Sequence, residues 1–364
     1  MKLCIIYNFS QKYREGIYKL LDTQYDCHWV FGKNNTDIKE LDDSVLKDVT
    51  YIDNVWIKPF YYQKGVVSLM KKYDTFLMLG ELFCISTWMM LILAKTIYPK
   101  KRIYIWSHGW YGKENKIKLW MKHAFFSMAD AVLLYGNHAK DVARNFGYKK
   151  DNLYVIHNSL DYDKQINLRN SLTDSDIYAL HFNNTNPVLL FIGRLTYVKR
   201  LDLLLKAVAE LKGNGTKCNV VLVGNGEAKD NLSKMAQDLK ITDNVWFYGA
   251  CYDEKENAQL IYNADVCVAP GNVGLTAMHT MVYGTPVITH DDFAWQMPEY
   301  EAIKPNETGN FFERDNVGSL ADCIASWICS HDEEREQVRK NCYSEIDTNW
   351  TPNFQLNIIK QVIK

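Results

Sequence analysis

No two of the nine cysteines form a Cys-x-x-Cys pair. They are dispersed as Cys4, Cys27, Cys84, Cys218, Cys251, Cys267, Cys323, Cys329 and Cys342. An odd, scattered set predicts neither a disulfide framework nor a zinc site, and it predicts a reducing compartment. A long apolar run is also missing. The longest, Leu82 to Ala94, falls short of the ~20 residues that span a bilayer and is bordered by Glu81. It reads as a strand end leading into a core helix. The segment Lys2–Tyr7 carries no cleavable leader pattern, so the expected location is cytoplasmic. There is no Walker lysine loop, no Gly-x-Ser-x-Gly elbow and no His-Glu-x-x-His. The basic residues form no recognisable nucleic-acid motif, and no nucleic-acid partner is expected.

What is present is an ordinary globular composition, 47% hydrophobic and 23% charged, which excludes disordered and fibrous classes. At roughly 150 residues per domain, 364 residues predict two domains. The net charge of −1 hides an asymmetry. Residues 1–150 hold 23 Lys and Arg against 14 Asp and Glu, whereas the remainder holds 19 against 29. The N-terminal half is therefore expected to face something anionic.

Short Val-, Ile- and Tyr-rich runs alternate with helical patterns. In the second half the expected strands are Pro187–Ile192, Asn219–Val223, Asn244–Tyr248, Asp265–Ala269 and Pro286–Thr289. The apolar stripe Leu201, Leu204, Leu205, Val208, Leu211 marks a helix between the first two. In the first half the expected strands are Leu3–Tyr7, Cys27–Phe31, Thr75–Leu79, Arg102–Trp106, Ala131–Tyr135 and Leu153–Ile156. This rhythm predicts an α/β chain of two doubly wound, Rossmann-like domains. The expected limits are 1–170 and 171–345, with a polar linker between Asp161 and Asn186. A C-terminal helix over 346–364 is expected to return to the first domain. Ligands in such sheets sit at the carboxyl ends of strands, and the natural site is a cleft between the domains.

Four segments carry candidate chemistry. Gly193-Arg-Leu-Thr-Tyr-Val-Lys-Arg200 places a glycine turn, Arg194 and Lys199 before a helix start, a pattern suited to a diphosphate. The plainer alternative is a solvated surface turn. Ala269-Pro-Gly-Asn-Val-Gly274 is a second glycine-bearing turn, able to present backbone N–H groups or simply to connect strand and helix. His279 follows on a helix, where a structural role is the commoner one. Ile105-Trp-Ser-His-Gly-Trp110 puts His108 at the carboxyl end of a strand, and Glu81 ends another. The fourth segment is amphipathic: Ile117, Trp120, Met121, Ala124 and Phe125 share one face, with Lys116, Lys118 and Lys122 outside it. It reads first as a core helix with a charged solvated face, and second as a helix resting on an anionic membrane. Asp291-Asp292 reads as loop solvation, and no metal site is expected.

The order and spacing of several pieces resemble the retaining glycosyltransferases of family 4, also called group 1. The pieces are Phe191-Ile-Gly-Arg-Leu-Thr-Tyr-Val-Lys199, Leu222-Val-Gly-Asn-Gly-Glu227, Val245-Trp-Phe-Tyr-Gly249, Tyr262-Asn-Ala-Asp265 and Tyr283-Gly-Thr-Pro-Val-Ile-Thr289. Trp106-Ser-His-Gly109, Ala129-Asp130 and Val155-Ile-His-Asn-Ser-Leu-Asp161 extend the resemblance into the first half. It implies a GT-B fold and transfer of a sugar from a nucleotide-sugar with retention and without a metal. It implies that Arg194 and Lys199 hold the donor diphosphate, and that His108 lies near the donor sugar. Gly193, Tyr248, Gly249, Asn272, Val273, Gly274, Leu275 and His279 complete the donor side.

One departure stands out. The family has two Glu residues eight positions apart, and the aligned positions here are Gly271 and His279. His279 is expected to hydrogen-bond a ribose hydroxyl instead. On the acceptor side the candidates are Glu81, Asn8 and Gly16. The expected co-substrate is a UDP-linked sugar, with no further cofactor. The expected acceptor is a saccharide, carried on a lipid at the inner face of an anionic membrane, in bacterial capsule or O-antigen assembly. The alternatives are a non-catalytic GT-B binding protein and a nucleotide-sugar epimerase.

Overall fold

The computed structural model describes residues 2–33, 39–331 and 334–363. It divides into two compact units, 1–161 with 350–364, and 162–349. In chain order the first unit contains β1 (Lys2–Tyr7), β2 (Asp26–Gly32), β3 (Val49–Ile52), β4 (Asn54–Ile57), β5 (Phe60–Gln63), β6 (Thr75–Leu79), β7 (Arg102–Ser107), β8 (Ala131–Leu134) and β9 (Leu153–Val155). Seven of these form a parallel sheet in the order β3-β2-β1-β6-β7-β8-β9, while β4 and β5 form a separate antiparallel hairpin. Central strands such as β1 are apolar at successive positions because both faces are covered. Leu3, Ile5 and Tyr7 enter the core on one face, and Cys4 and Ile6 enter the core on the other.

The second unit contains β10 (Val188–Ile192), β11 (Asn219–Val223), β12 (Val245–Gly249), β13 (Val266–Ala269), β14 (Val287–His290) and β15 (Gly309–Phe312). They form one parallel sheet in the order β12-β11-β10-β13-β14-β15. Strand order reverses between β10 and β13 here, and between β1 and β6 in the first unit. At such a reversal the loops leaving two neighbouring strands diverge to opposite faces and open a crevice at the carboxyl ends.

Three expectations about organisation change. The segment expected to be a linker contains two helices, Tyr162–Arg169 and Ile177–Phe182, that belong to the second unit. Arg169 fixes the first through a two-pronged pair with Asp347, at 3.0 and 2.8 Å, and it lies over the Tyr343 ring. Tyr178 fixes the second by donating to the Leu260 carbonyl. The units therefore divide after Asp161, not after residue 170. The last segment starts at Trp350, not at 346, because the helix Arg335–Asn349 stays with the second unit.

The helix Pro352–Val362 packs in the first unit: Gln355 accepts from Ser159 at 2.6 Å and donates to the His157 carbonyl at 2.8 Å. Ile359 enters the first unit's core. The run Leu82–Ala94 is a turn leading into the helix Ile85–Thr96, since β6 has already ended at Leu79.

Candidate functional site

In the second unit the two turns singled out above leave β10 and β13, the strands on either side of the reversal. Arg194 is exposed, and no hydrogen bond or ion pair joins its side chain to another described residue, although its carbonyl accepts from the Thr196 N–H at 2.9 Å. Lys199 is half-buried. Its Nζ donates to the backbone carbonyl of Asn272 at 2.7 Å and to Asn272 Oδ1 at 2.9 Å, tying the two turns together. Burial pushes the Lys199 ammonium down to about 8, against the pull of Glu299, and the Arg194 charge adds to the depression. This corner thus holds one free cation and one whose protonation changes near neutral pH.

The turn 271–274 is held from below by Gln296. Its side chain accepts from the Val273 N–H at 2.9 Å and donates to Thr289 Oγ1 at 2.8 Å and to the His290 carbonyl at 3.1 Å. Gln296 and the buried Glu299 were not singled out in the sequence. They lie some 20 residues past the turn, with no motif to connect them to it.

Gly271 explains the missing first carboxylate. Its N–H donates to the Lys199 carbonyl at 2.9 Å, and a Cβ built on it would lie 2.1 Å from the Val198 carbonyl oxygen. No side chain fits there. Gly274 has φ +55° and ψ −148°, a backbone region essentially restricted to glycine. The turn therefore presents backbone and Asn272 where the family presents a Glu.

The second missing carboxylate is replaced differently. His279 Nε2 lies 3.1 Å from Glu254 Oε1, and the same oxygen accepts from Tyr283 at 2.8 Å and Gln165 at 3.1 Å. Burial alone would raise the Glu254 carboxyl. The hydrogen bonds from His279, Tyr283 and Gln165, with the His279 charge, outweigh it and hold the group at about 2. His279 thus has a carboxylate behind it, and one ring nitrogen is already committed. Glu254 opens the helix Glu254–Asn263, and in the sequence it reads only as a first-turn acid. Tyr248 donates to Glu256 and tilts on Trp246, with ring centroids 4.9 Å apart. Gly249 ends β12 with φ +98°.

In the first unit the structure brings Asn8 and Glu81 together across the other reversal, at 3.1 Å between Nδ2 and Oε1. Tyr61 donates to the second Glu81 oxygen. Burial raises the Glu81 carboxyl, and the Tyr61 hydrogen bond opposes it. His108 follows β7, half-buried against the Tyr135 ring at 4.6 Å. Burial, with the charges of Arg14 and Lys122, pushes it down to about 4, so its imidazole is neutral at physiological pH. Gly16 stands apart from this group. A Cβ on it would meet Pro352 at 3.0 Å, which makes it a packing position of the helix Glu15–Gln24 on the C-terminal helix.

The amphipathic helix departs from its first reading. Over Lys116–Ser127, Ile117 and Trp120 are 73% and 71% exposed, while Lys122 is buried and paired with Glu114 at 2.5 Å. The core side of this helix is set by Phe125 and Phe126, which leaves the first turns standing out. Asp291 and Asp292 serve Arg314, which donates to them from its backbone N–H and guanidinium. Among the described residues no cluster of His, Cys, Asp and Glu is arranged to hold a metal ion, and no helix is long and apolar enough to cross a membrane.

Residues 174–345 match the family described as glycosyl transferases group 1. The matched stretch makes up most of the second unit and just under half of the chain, so the likeness to group 1 glycosyltransferases is a likeness of that unit. Among curated relatives, it is 26% identical over 220 residues to a poly(ribitol-phosphate) alpha-N-acetylglucosaminyltransferase of Staphylococcus aureus, covering 54% of this chain and 43% of that protein. The chain spans about half the length of the curated relatives it matches first.

Among solved structures, HepE of Anabaena in complex with UDP superposes with a TM-score of 0.73 at 16% identity, covering 100% of this chain and 99% of HepE. A glycosyltransferase of Rickettsia africae gives 0.74 at 17% identity, covering 100% and 98%. These likenesses show the fold, which is GT-B: two Rossmann-like units in one chain. In this turn the close approach at Gly271 generates a direct prediction. Gly271→Ala lowers stability by about 1–3 kcal/mol, the usual cost of overpacking. Gly271→Glu, which restores the family carboxylate, lowers the thermal midpoint at least as far. An unchanged midpoint for Gly271→Glu would mean that the turn does not rest on the 198–199 backbone.

Proposed function

We propose that this protein transfers a sugar from a UDP-linked donor, with retention of configuration, to a saccharide acceptor in bacterial surface polysaccharide assembly. The observation that carries the reading is the pairing of a free Arg194 side chain with a half-buried Lys199 on the turn after β10, tied by Lys199 to the turn after β13 across the strand reversal. Two cations on neighbouring turns, one of them partly dehydrated, stabilise charge that develops on a departing diphosphate. Lys199, already desolvated, gives up less hydration on binding than an exposed lysine would. Asn272 holds it in place until an anion competes for the ammonium. The UDP seen with HepE and the N-acetylglucosaminyl transfer named for the Staphylococcus relative support the choice of donor class.

The experiment is a thermal-shift and calorimetric comparison of UDP, GDP, CMP and dTDP, and of their sugars. Binding to the native state raises apparent stability by mass action. UDP raises the midpoint of the wild type, and Arg194→Ala removes most of the shift. Because the bound form of Lys199 is the charged one, affinity falls as pH rises through about 8. The fall is at most about tenfold per pH unit, and it flattens in Lys199→Arg, whose charge persists. No shift with any nucleotide would favour a non-catalytic protein, and a shift unaffected by Arg194→Ala would move the site elsewhere.

We assign the lipid-facing surface to the first unit. Trp56, Ile57 and Phe60 of the β4–β5 hairpin, Phe83, and the outer turns with Ile117 and Trp120 are all exposed. Phe60 packs edge-on against Phe83 at 5.6 Å, and Lys118 Nζ lies 5.9 Å from the Phe83 ring centre, so hairpin and helix form one patch. Lys58, Lys64, Lys113, Lys116 and Lys118 are exposed around it. Apolar side chains ringed by lysines suit an anionic bilayer surface. The protein is expected to bind phosphatidylglycerol vesicles in low salt and to be released by high salt. Trp56→Ser with Trp120→Ser is expected to weaken that binding at least tenfold. Equal binding to phosphatidylcholine vesicles would contradict the electrostatic part of the assignment.

A further inference from the structure

Arg14 is the most unusual charge in the molecule. It ends the short turn Lys12–Arg14 that follows β1, and it is only 4% exposed. Its guanidinium carbon lies 5.5 Å from the ring centre of Tyr7, 5.4 Å from Tyr13, 5.0 Å from Trp106 and 5.1 Å from Tyr135. Nη2 donates to the Tyr135 hydroxyl and Nε to the Tyr13 hydroxyl at 3.4 Å. No described carboxylate pairs with it, and Nη1 has no hydrogen-bond partner.

Burying an unpaired charge is among the costliest arrangements in a protein. Aromatic faces attract the cation, yet they leave its in-plane hydrogens unanswered.

Arg14 is not alone. Tyr7 Oη, Trp106 Nε1 and His108 Nδ1 are also buried without a hydrogen-bond partner. The contacts place them in one cluster. The Tyr7 and Trp106 rings meet edge-on at 6.0 Å, Trp106 and Tyr135 lie 6.2 Å apart, and His108 tilts on Tyr135 at 4.6 Å. Tyr7 and Trp106 are fully enclosed, while His108 is half-buried and reaches the surface. Trp106 Nε1 and Arg14 Nη1 can only donate. A bound water would answer some of these donors but none of the charge. A group with several oxygens and a negative charge answers both.

We propose that the Arg14 cage is a binding site for a tetrahedral oxyanion, a phosphoryl group, held by Arg14, Trp106, Tyr7 and His108. If the glycosyltransferase reading holds, that phosphoryl group belongs to the acceptor, so this unit selects phosphate-bearing acceptors; the assignment to the acceptor rests on that reading. The phosphoryl site itself does not.

The test follows the indole N–H of Trp106 by amide- and indole-detected NMR of the full chain, with the resonance assigned by its disappearance in Trp106→Phe. Titration is with inorganic phosphate against sodium chloride at equal ionic strength. The titration is made in the Arg194→Ala background, so that the other cation site does not contribute. Saturable movement with phosphate and none with chloride is the expected result, with the response weakened about tenfold in Tyr7→Phe, which keeps the ring. Arg14→Met is expected to abolish the response, and its thermal midpoint reports whether the fold survives. No movement with phosphate, equal movement with chloride, or an unchanged response in Tyr7→Phe would overturn the proposal and leave water as the filling of the cage.

The readout needs no donor and no transfer. Failure of the glycosyltransferase reading with an intact phosphate response, and the reverse, are therefore separate results.

Discussion

The contact between Lys199 and Asn272 is the constraint on which the second unit's functional surface depends. It joins the turn after β10 to the turn after β13, where the strand order reverses and the sheet opens. Gly271 lets the two backbones touch, and Gln296 ties the far turn to β14, accepting from the Val273 N–H and donating to Thr289 and the His290 carbonyl. Glu299 supplies the opposite charge that keeps a buried ammonium tolerable. Every group around Lys199 therefore either positions it or sets its protonation. Among the described residues of this corner, the Arg194 side chain has no hydrogen-bond or ion-pair partner, as a group awaiting a ligand would.

The first unit repeats the geometry with different chemistry. Asn8 and Glu81 meet across its own reversal, and the Arg14 cage lies beside them on the same carboxyl edge. Overall charge does not predict these local fields. Residues 162–349 hold 17 Lys and Arg against 27 Asp and Glu, yet this acidic unit is the one that concentrates two cations on its turns. The basic excess of the first unit lies partly on the exposed lysines around the hairpin and partly on one enclosed guanidinium. Under the two proposals made above, the same sign of charge takes two functions: one draws a surface in, the other recognises a group.

Much of the architecture was legible because parallel, doubly covered strands are written as uninterrupted apolar runs. All five strands expected in the second half form, within a residue or two of their limits. The strands missed were β3, β4, β5 and β15, which are short or half-exposed and carry Asn, Gln, Gly or Thr among the apolar residues. The two helices in 162–182 were mistaken for a linker because their composition is polar and their anchors, Asp347 and the Leu260 carbonyl, are distant in sequence. For the same reason Arg194 and Lys199 could be singled out from a contiguous motif, whereas Glu254, Gln296 and Arg14 could not. Their roles arise from partners brought together only by folding. Ile117 and Trp120 were assigned to the core by helical period. Period identifies a shared face, but it does not say whether anything covers that face.

The central claim is that Arg194 and Lys199 together receive the diphosphate of a nucleotide donor. The most direct measurement is a crystal structure of the protein soaked with UDP. The account predicts the diphosphate within hydrogen-bond distance of the Arg194 guanidinium and Lys199 Nζ, with at least one of the two Lys199–Asn272 contacts given up. A nucleotide bound with both cations untouched, and the Lys199–Asn272 pair unchanged, would contradict it.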